Sequence, residues 1–146
     1  MSDVLYLVRH AEAGEARGGS DADRRLTPAG RAAFERLVSR VGAELRVLRV
    51  RTSPLARARE TAAILAAAAG VEADVEDRLA SGRSSGAELL RLGFEGGGGT
   101  ALVGHNPEVA EAVVLAAGAA HRVGPGSIAV IAAGDVGYRL LRLHSP

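Results

Sequence analysis

Three short stretches of this chain carry side chains able to do chemistry. They are Arg9-His10, Ser53-Pro54-Leu55-Ala56-Arg57 and Gly104-His105-Asn106-Pro107, and each follows an apolar run. Arginine offers a planar fork of donors that matches phosphate oxygens, and a helix N-terminus adds free backbone N–H groups and a positive partial charge. A pocket built from both favours a dianion. Within it a neutral imidazole can act as a covalent nucleophile, dividing transfer to water into two in-line displacements that need no metal. A second imidazole, if protonated, helps hold the charge on the equatorial oxygens. A single histidine is more often structural than functional. Two histidines beside arginines or helix starts, in loops that one fold brings together, are a rarer accident.

Composition removes competing chemistries. The chain has 146 residues, no cysteine and no lysine, so all 18 basic residues are arginine. Thiolate nucleophiles, thiolate metal sites, Schiff-base lysines and the P-loop lysine are therefore excluded. His10-Ala11-Glu12 contains the His-x-Glu fragment of zinc deaminases, but that motif needs a Pro-Cys-x-x-Cys partner. No metal and no cofactor is expected. A net charge of +1, with arginines scattered among acids, gives no basic face for nucleic acid. No apolar stretch approaches the roughly 20 residues that span a bilayer. The start Met1-Ser2-Asp3 lacks a basic leader, which leads us to expect a cytoplasmic protein, and we expect a monomer.

Alternating elements must position the three stretches. Val4 to Val8 reads as a strand buried on both faces. Thr27-Pro28 supplies an N-cap and a first-turn proline for a helix carrying Ala33, Leu37, Val41 and Leu45 at helical spacing. Val47 to Thr52 reads as a strand, and Ser53-Pro54 as the cap of a helix from Leu55 to Ala69 that ends at Gly70. A short strand over Val71 to Val75 and a helix over Ala87 to Leu92 follow. Gly96 to Gly99 precedes the strand Thr100 to Val103, whereas phosphate-cradling loops follow a strand, so it reads as a plain turn. Asn106 and Pro107 then cap and open a helix. Ser127 to Ala133 and Val136 to Leu143, joined by Gly134-Asp135, read as an antiparallel hairpin. The expectation is one domain over residues 1–146, of α/β class, with three αβα layers, a mostly parallel central sheet and the hairpin at or near its edge. In such sheets ligands sit beyond the carboxyl ends of the strands, where all three stretches lie.

Leu7-Val8-Arg9-His10-Ala11-Glu12 resembles the Arg-His-Gly signature of the histidine phosphatase superfamily, with Ala11 in place of the usual glycine. Ser53 to Ala62 resembles its second block, and Val103-Gly104-His105-Asn106 its third. The compact size and Asp23-Arg24-Arg25-Leu26-Thr27-Pro28-Ala29-Gly30 are most similar to the SixA-type phosphohistidine phosphatases. The resemblance implies a phosphoglycerate mutase-like fold in a minimal form without a lid insertion. It also implies that His10 is the phosphorylated nucleophile and that Arg9, Arg57 and His105 bind the phosphoryl group. Arg24 and Asn106 would be further substrate contacts. Arg25 replaces the proline common in that block, which leaves Arg24 and Arg25 both open. Arg31 and Arg59 read as solvated or ion-paired.

Larger relatives that cleave phosphate esters carry a carboxylic acid after the third strand. Alignment puts Ser81 there, in Asp77-Arg78-Leu79-Ala80-Ser81-Gly82. A phosphoramidate dispenses with such an acid more easily, because its imidazole nitrogen is readily protonated. The short stretch before Thr100 leaves little room for a lid, so a shallow, open site is expected. Both features favour phosphohistidine displayed on a partner protein. Two alternatives stand beside this: a phosphomonoesterase of small phosphorylated molecules using Glu12, Glu76, Asp77 or Glu88 as the acid, and an inactive phosphate-binding module.

Overall fold

Leu5 and Leu7 point to one face of the first strand and Tyr6 and Val8 to the other, which is why its apolar run is unbroken. The computed structural model describes residues 3–16 and 18–146; the reading of the leader at Met1-Ser2 lies outside them. The strand is β1 (Val4–Arg9), and it occupies the interior of a six-stranded sheet. The other strands are β2 (Arg49–Thr52), β3 (Ala73–Val75), β4 (Thr100–Gly104), β5 (Ile128–Ala133) and β6 (Tyr138–His144). Their order is β3-β2-β4-β1-β5-β6. The pairs β3–β2, β2–β4 and β4–β1 are parallel, and β1–β5 and β5–β6 antiparallel, so the C-terminal hairpin forms one edge as expected.

Helices cover both faces. Phe34, Leu37, Val38 and Val41 of α1 (Pro28–Val41), with Ala58, Ala62 and Leu65 of α2 (Ala56–Ala69), pack on Tyr6, Val8, Val50 and Val103. Leu89, Leu90 and Leu92 of α3 (Gly86–Glu95), with Val109, Ala112 and Val113 of α4 (Glu108–Ala117), pack on Leu5, Leu7 and Leu102. Each fully buried side chain of this size stabilises by about 1.5–3 kcal/mol, so these two clusters hold the layers together. Among the described residues no helix is long and apolar enough to cross a membrane.

Local signals set most boundaries. Thr27 caps α1, its Oγ1 accepting from Gly30 N at 2.9 Å, with Pro28 in the first turn. Gly30 must be glycine, because a Cβ there would strike the carbonyl of Glu12. Gly70 closes α2 in the left-handed conformation, φ 72°. Several expected boundaries shift. α1 stops at Val41 and a 3₁₀ turn over Gly42–Glu44 takes Leu45 off the helix. β2 begins two residues late, because Leu48 N and Arg49 N both turn to Gly99 O and the ladder with β4 starts only at Arg49 and Thr100. The hairpin turns over four residues, Gly134 N donating to Gly137 O at 2.8 Å, and not over Gly134-Asp135 alone. The glycines before β4 form a turn at the end of the sheet opposite His10, with Gly99 N on Val4 O and Gly99 O accepting from Leu48 N.

Candidate active site

Strand register delivers the three stretches to one place. Arg9 pairs with Gly104 across β1 and β4, and Thr52 pairs with Val103 across β2 and β4. His10, Ser53 and His105 are thus the first residues beyond three adjacent parallel strands. His10 N donates to Gly104 O at 3.0 Å, and Ser53 N to Val103 O at 3.0 Å, which extends the ladders by one step. The two imidazoles face each other with ring centroids 5.1 Å apart and planes inclined by 56°.

His10 is held ready. Its Nδ1 lies 2.8 Å from the carbonyl oxygen of Ala11. A carbonyl only accepts, so Nδ1 carries the proton and Nε2 keeps its lone pair, the arrangement a nucleophile needs. Ala11 itself is fixed, its N–H donating to Thr61 Oγ1 at 3.0 Å while that hydroxyl donates to Arg57 O at 2.8 Å. His10 is 9% exposed. Burial first, and then the charges of Arg57, Arg9 and Arg24, push its pKa down to about 4 against the Ala11 bond, which raises it. His105 is 2% exposed, and burial, followed by His10 and Arg57, lowers its pKa to about 3. Both rings are therefore neutral near pH 7. The expectation of a second imidazole that helps when protonated gives way to a neutral one.

The arginines surround this pair. Arg57, in the first turn of α2, is 4% exposed; NH1 donates to Asp21 O at 2.8 Å and NH2 to Asp21 Oδ2 at 3.1 Å. Arg9 NH1 donates to Val123 O at 3.0 Å. Arg24 Nε donates to Gly14 O at 2.7 Å and NH1 to Asp21 Oδ1 at 3.2 Å, and its charge acts on His10. Arg25 turns away to Glu60 at 3.3 Å, with its side chain 73% exposed, so of the two it is Arg24 that joins the site. Three buried polar nitrogens, Arg9 Nε, Arg57 Nε and His105 Nδ1, have no hydrogen-bond partner among the described residues. Guanidinium and imidazole nitrogens gathered at one strand-end rim form a set whose chemistry suits an anion.

Asn106, expected as a substrate contact, is held in place by backbone groups. Its Nδ2 donates to Val123 O at 2.9 Å and its Oδ1 accepts from Ala110 N at 3.2 Å. Both polar ends are thereby engaged, and the residue braces the carbonyl that also receives Arg9. α4 begins only at Glu108, so Asn106 caps it from one residue further out than expected. Ser53 is likewise no cap for α2, which starts at Ala56 after Leu55; its hydroxyl is 2.8 Å from His105 Nε2. Sequence reasoning gave Ser53, Thr61 and Asp21 no such duties. Position in the second block marked the first two, while for Asp21 the only signal was an acid three residues before Arg24.

The four carboxylates considered as proton donors are all committed elsewhere or exposed. Glu12 Oε1 accepts from Thr27 Oγ1 at 2.7 Å. Glu76 takes two bonds from the Arg78 guanidinium, at 3.0 and 2.9 Å, and one from Arg78 N, which with Arg51 hold its pKa down at about 2. Glu88 completes a capping box with Ser85 at the start of α3, and Asp77 is exposed in a 3₁₀ turn. The carboxylate whose charge reaches His105 is that of Asp21, and hydrogen bonding to Arg24 lowers its pKa, which makes it a poor acid. Among the described residues no lid lies between β3 and β4, and Asp21 pairs with Arg57 at 3.1 Å. Among the described residues no three His, Asp or Glu side chains gather in a way that could hold a metal ion.

Residues 5–83 match the histidine phosphatase superfamily, branch 1. No curated protein sequence matches the chain. Among solved structures, one assigned as the phosphohistidine phosphatase SixA of Agrobacterium tumefaciens is 26% identical, with a TM-score of 0.78, over 99% of this chain and 98% of that one. The protein histidine phosphatase SixA complexed with tungstate is 23% identical, with a TM-score of 0.84, over 98% and 97%. A mutant phosphoserine phosphatase of Entamoeba histolytica in complex with phosphoserine shares the fold at 16% identity, with a TM-score of 0.73, over 97% and 96%.

Proposed function

Since this chain belongs to the histidine phosphatase superfamily, we propose that it hydrolyses phosphohistidine on a partner protein through a phosphoenzyme formed on His10. In the first step His10 Nε2 attacks phosphorus in line, the bond from phosphorus to the substrate imidazole breaks, and the departing nitrogen takes a proton from solvent. In the second, water attacks phospho-His10, the new P–N bond breaks, and inorganic phosphate and neutral His10 return. Arg9, Arg57 and His105 hold the equatorial oxygens in both steps, with Arg24 adding its charge.

The observation that carries the substrate class is that, among the described residues, the charges acting on His10 are arginines alone, and the one carboxyl whose pKa burial raises, Glu108, accepts from Gly82 N. An alkoxide leaving group needs an acid beside it, whereas the more basic nitrogen of a departing imidazole can take its proton from water. Glu12, Glu76 and Glu88 are engaged in hydrogen bonds of their own, and Asp21 is held as an anion. The structure assigned as SixA of Agrobacterium tumefaciens, matched over 99% of this chain, supports the same reading.

A protein carrying phosphohistidine and free phosphoserine, offered in parallel to wild type and His10→Ala, tests the proposal. Wild type is expected to release phosphate from phosphohistidine at least about 100-fold faster in kcat/KM than from phosphoserine, the scale of a missing general acid. His10→Ala is expected to do neither. A denatured wild-type phosphoenzyme should be acid-labile and alkali-stable. Equal turnover of phosphoserine, or no difference between wild type and His10→Ala, sinks it.

A further inference from the structure

The fully buried hydroxyl of Ser53 has a duty fixed by proton accounting. Its Oγ is 2.8 Å from His105 Nε2 and accepts from Leu55 N at 3.2 Å. Those are its hydrogen-bond partners among the described residues, and Ser53 is 0% exposed, so water cannot take its proton. A serine hydroxyl has one proton to donate. Were Nε2 protonated, it would donate to Oγ, and the Ser53 proton would be left in the interior without an acceptor, at a cost of about 1–3 kcal/mol. With Nε2 bare, this end of the ring is satisfied: Leu55 N–H donates to Oγ, and Oγ–H donates to Nε2.

We propose that Ser53 is a positioning residue that fixes His105 as the Nδ1–H tautomer, so that a neutral ring presents a donor to a phosphoryl oxygen. The other end of the ring agrees. His105 Nδ1 is buried and has no hydrogen-bond partner among the described residues, which is costly for a lone pair and for an N–H alike. A phosphoryl oxygen is an acceptor, so only the N–H form of Nδ1 meets it favourably; the opposite tautomer would set a lone pair against negative charge. His10 is fixed in the same tautomer by a different device, the Ala11 carbonyl, and there the bare Nε2 is the useful end. One fold thus holds two adjacent imidazoles in one tautomer and uses opposite nitrogens of each. Desolvation keeps His105 neutral near pH 7, which is why a hydroxyl rather than a carboxylate can set its tautomer.

The use made of His105 rests on the phosphoryl-transfer reading, but the tautomer does not, and nitrogen NMR of the free protein separates them. In wild type, between pH 6 and 8, His105 Nε2 is expected to resonate as a bare ring nitrogen and Nδ1 as an N–H. Ser53→Ala should shift both toward a tautomer mixture, weaken the binding of inorganic phosphate by roughly tenfold, as loss of one charged-ligand hydrogen bond implies, and lower kcat/KM at least as much. A merely structural role for Ser53 would leave the nitrogen shifts of His105 alone. A proton on Nε2 in wild type overturns the proposal without any substrate, and so does an unchanged tautomer in a folded Ser53→Ala. A bare Nε2 in a protein that turns over no phosphorylated compound upholds the tautomer while overturning the activity.

Discussion

Two groups of arginines in this molecule are treated in opposite ways. On the surface, Arg25 and Arg31 share the carboxylate of Glu60, and Arg51 and Arg78 that of Glu76. At the sheet's carboxyl edge Arg57 is nearly buried, and Arg57 Nε and Arg9 Nε are left without partners. The surface pairs are close to neutral for stability, about 0–1 kcal/mol each. The buried guanidiniums work against stability by leaving N–H groups unmet. Buried donors of this kind call for an explanation, and the anion pocket proposed above is one.

The largest effect should come from undoing the buried set. Arg57→Ala is expected to lower kcat/KM by about 10³-fold, the order seen when a preorganised oxyanion donor is lost. Arg57→Lys keeps the charge but loses the planar fork, and should recover less than about tenfold of that. In phosphate-free buffer the unfolding free energy of Arg57→Ala should stay within about 1 kcal/mol of wild type, since the lost bonds to Asp21 are offset by relief of a buried charge. The stabilisation that added phosphate gives wild type should vanish in the variant. If the free variant unfolds several kcal/mol more easily, the contrast between the two groups collapses and Arg57 is a structural residue.

Acid separates the same two regions. An unfolded histidine takes a proton near pH 6.5, while folded His10 and His105 resist it down to about 4 and 3. Between those values the unfolded chain binds more protons, so stability falls as pH falls from about 6.5 toward 4. The loss is on the order of 1–3 kcal/mol per imidazole. Glu76 has the other profile: its arginines contribute stability that is full above about pH 4.5 and is lost only as pH falls toward about 2. Urea unfolding at pH 7.0, 5.5 and 4.5 should show the first decline alone, and His105→Ala should flatten it. A wild-type stability level across that range contradicts the burial of neutral imidazoles.

Much of this was legible in the chain because local chemistry and tertiary placement agree. Val4 to Val8, Thr27-Pro28 and Gly70 each carry a signal that works within a few residues, and the structure uses each as written. His10 and His105 could be placed together because both follow strands, and ligands gather at the ends of parallel strands. What stayed hidden depends on which side chain wins a partner. Ser53-Pro54 has the form of a cap, but the hydroxyl is taken by His105 across the strand end, and α2 starts without a side-chain cap. Asn106 lies in a functional block, yet Ala110 and Val123 occupy both ends of its amide. Asp21 stayed hidden because it meets Arg57, distant in sequence, only in the fold.

The smallest effect is the most direct check on the surface group. Arg25 stands next to Arg24 in sequence but points to Glu60, with most of its side chain in solvent. Arg25→Ala should therefore leave kcat/KM within about twofold and stability within about 0.5 kcal/mol, the ordinary range for an exposed pair. Glu60 is not equivalent, because its Oε1 also accepts from Leu26 N at 2.8 Å. Removing that acceptor should cost about 1 kcal/mol or more. A double-mutant cycle on Arg25 and Glu60 isolates the pair from the backbone bond. A coupling near zero means that neighbouring arginines differ by the direction of their side chains alone. A coupling above about 1 kcal/mol, or a fall in activity in Arg25→Ala alone, would show the Glu60 pair helping to set Arg24 at the site, and the two groups could no longer be treated as separate.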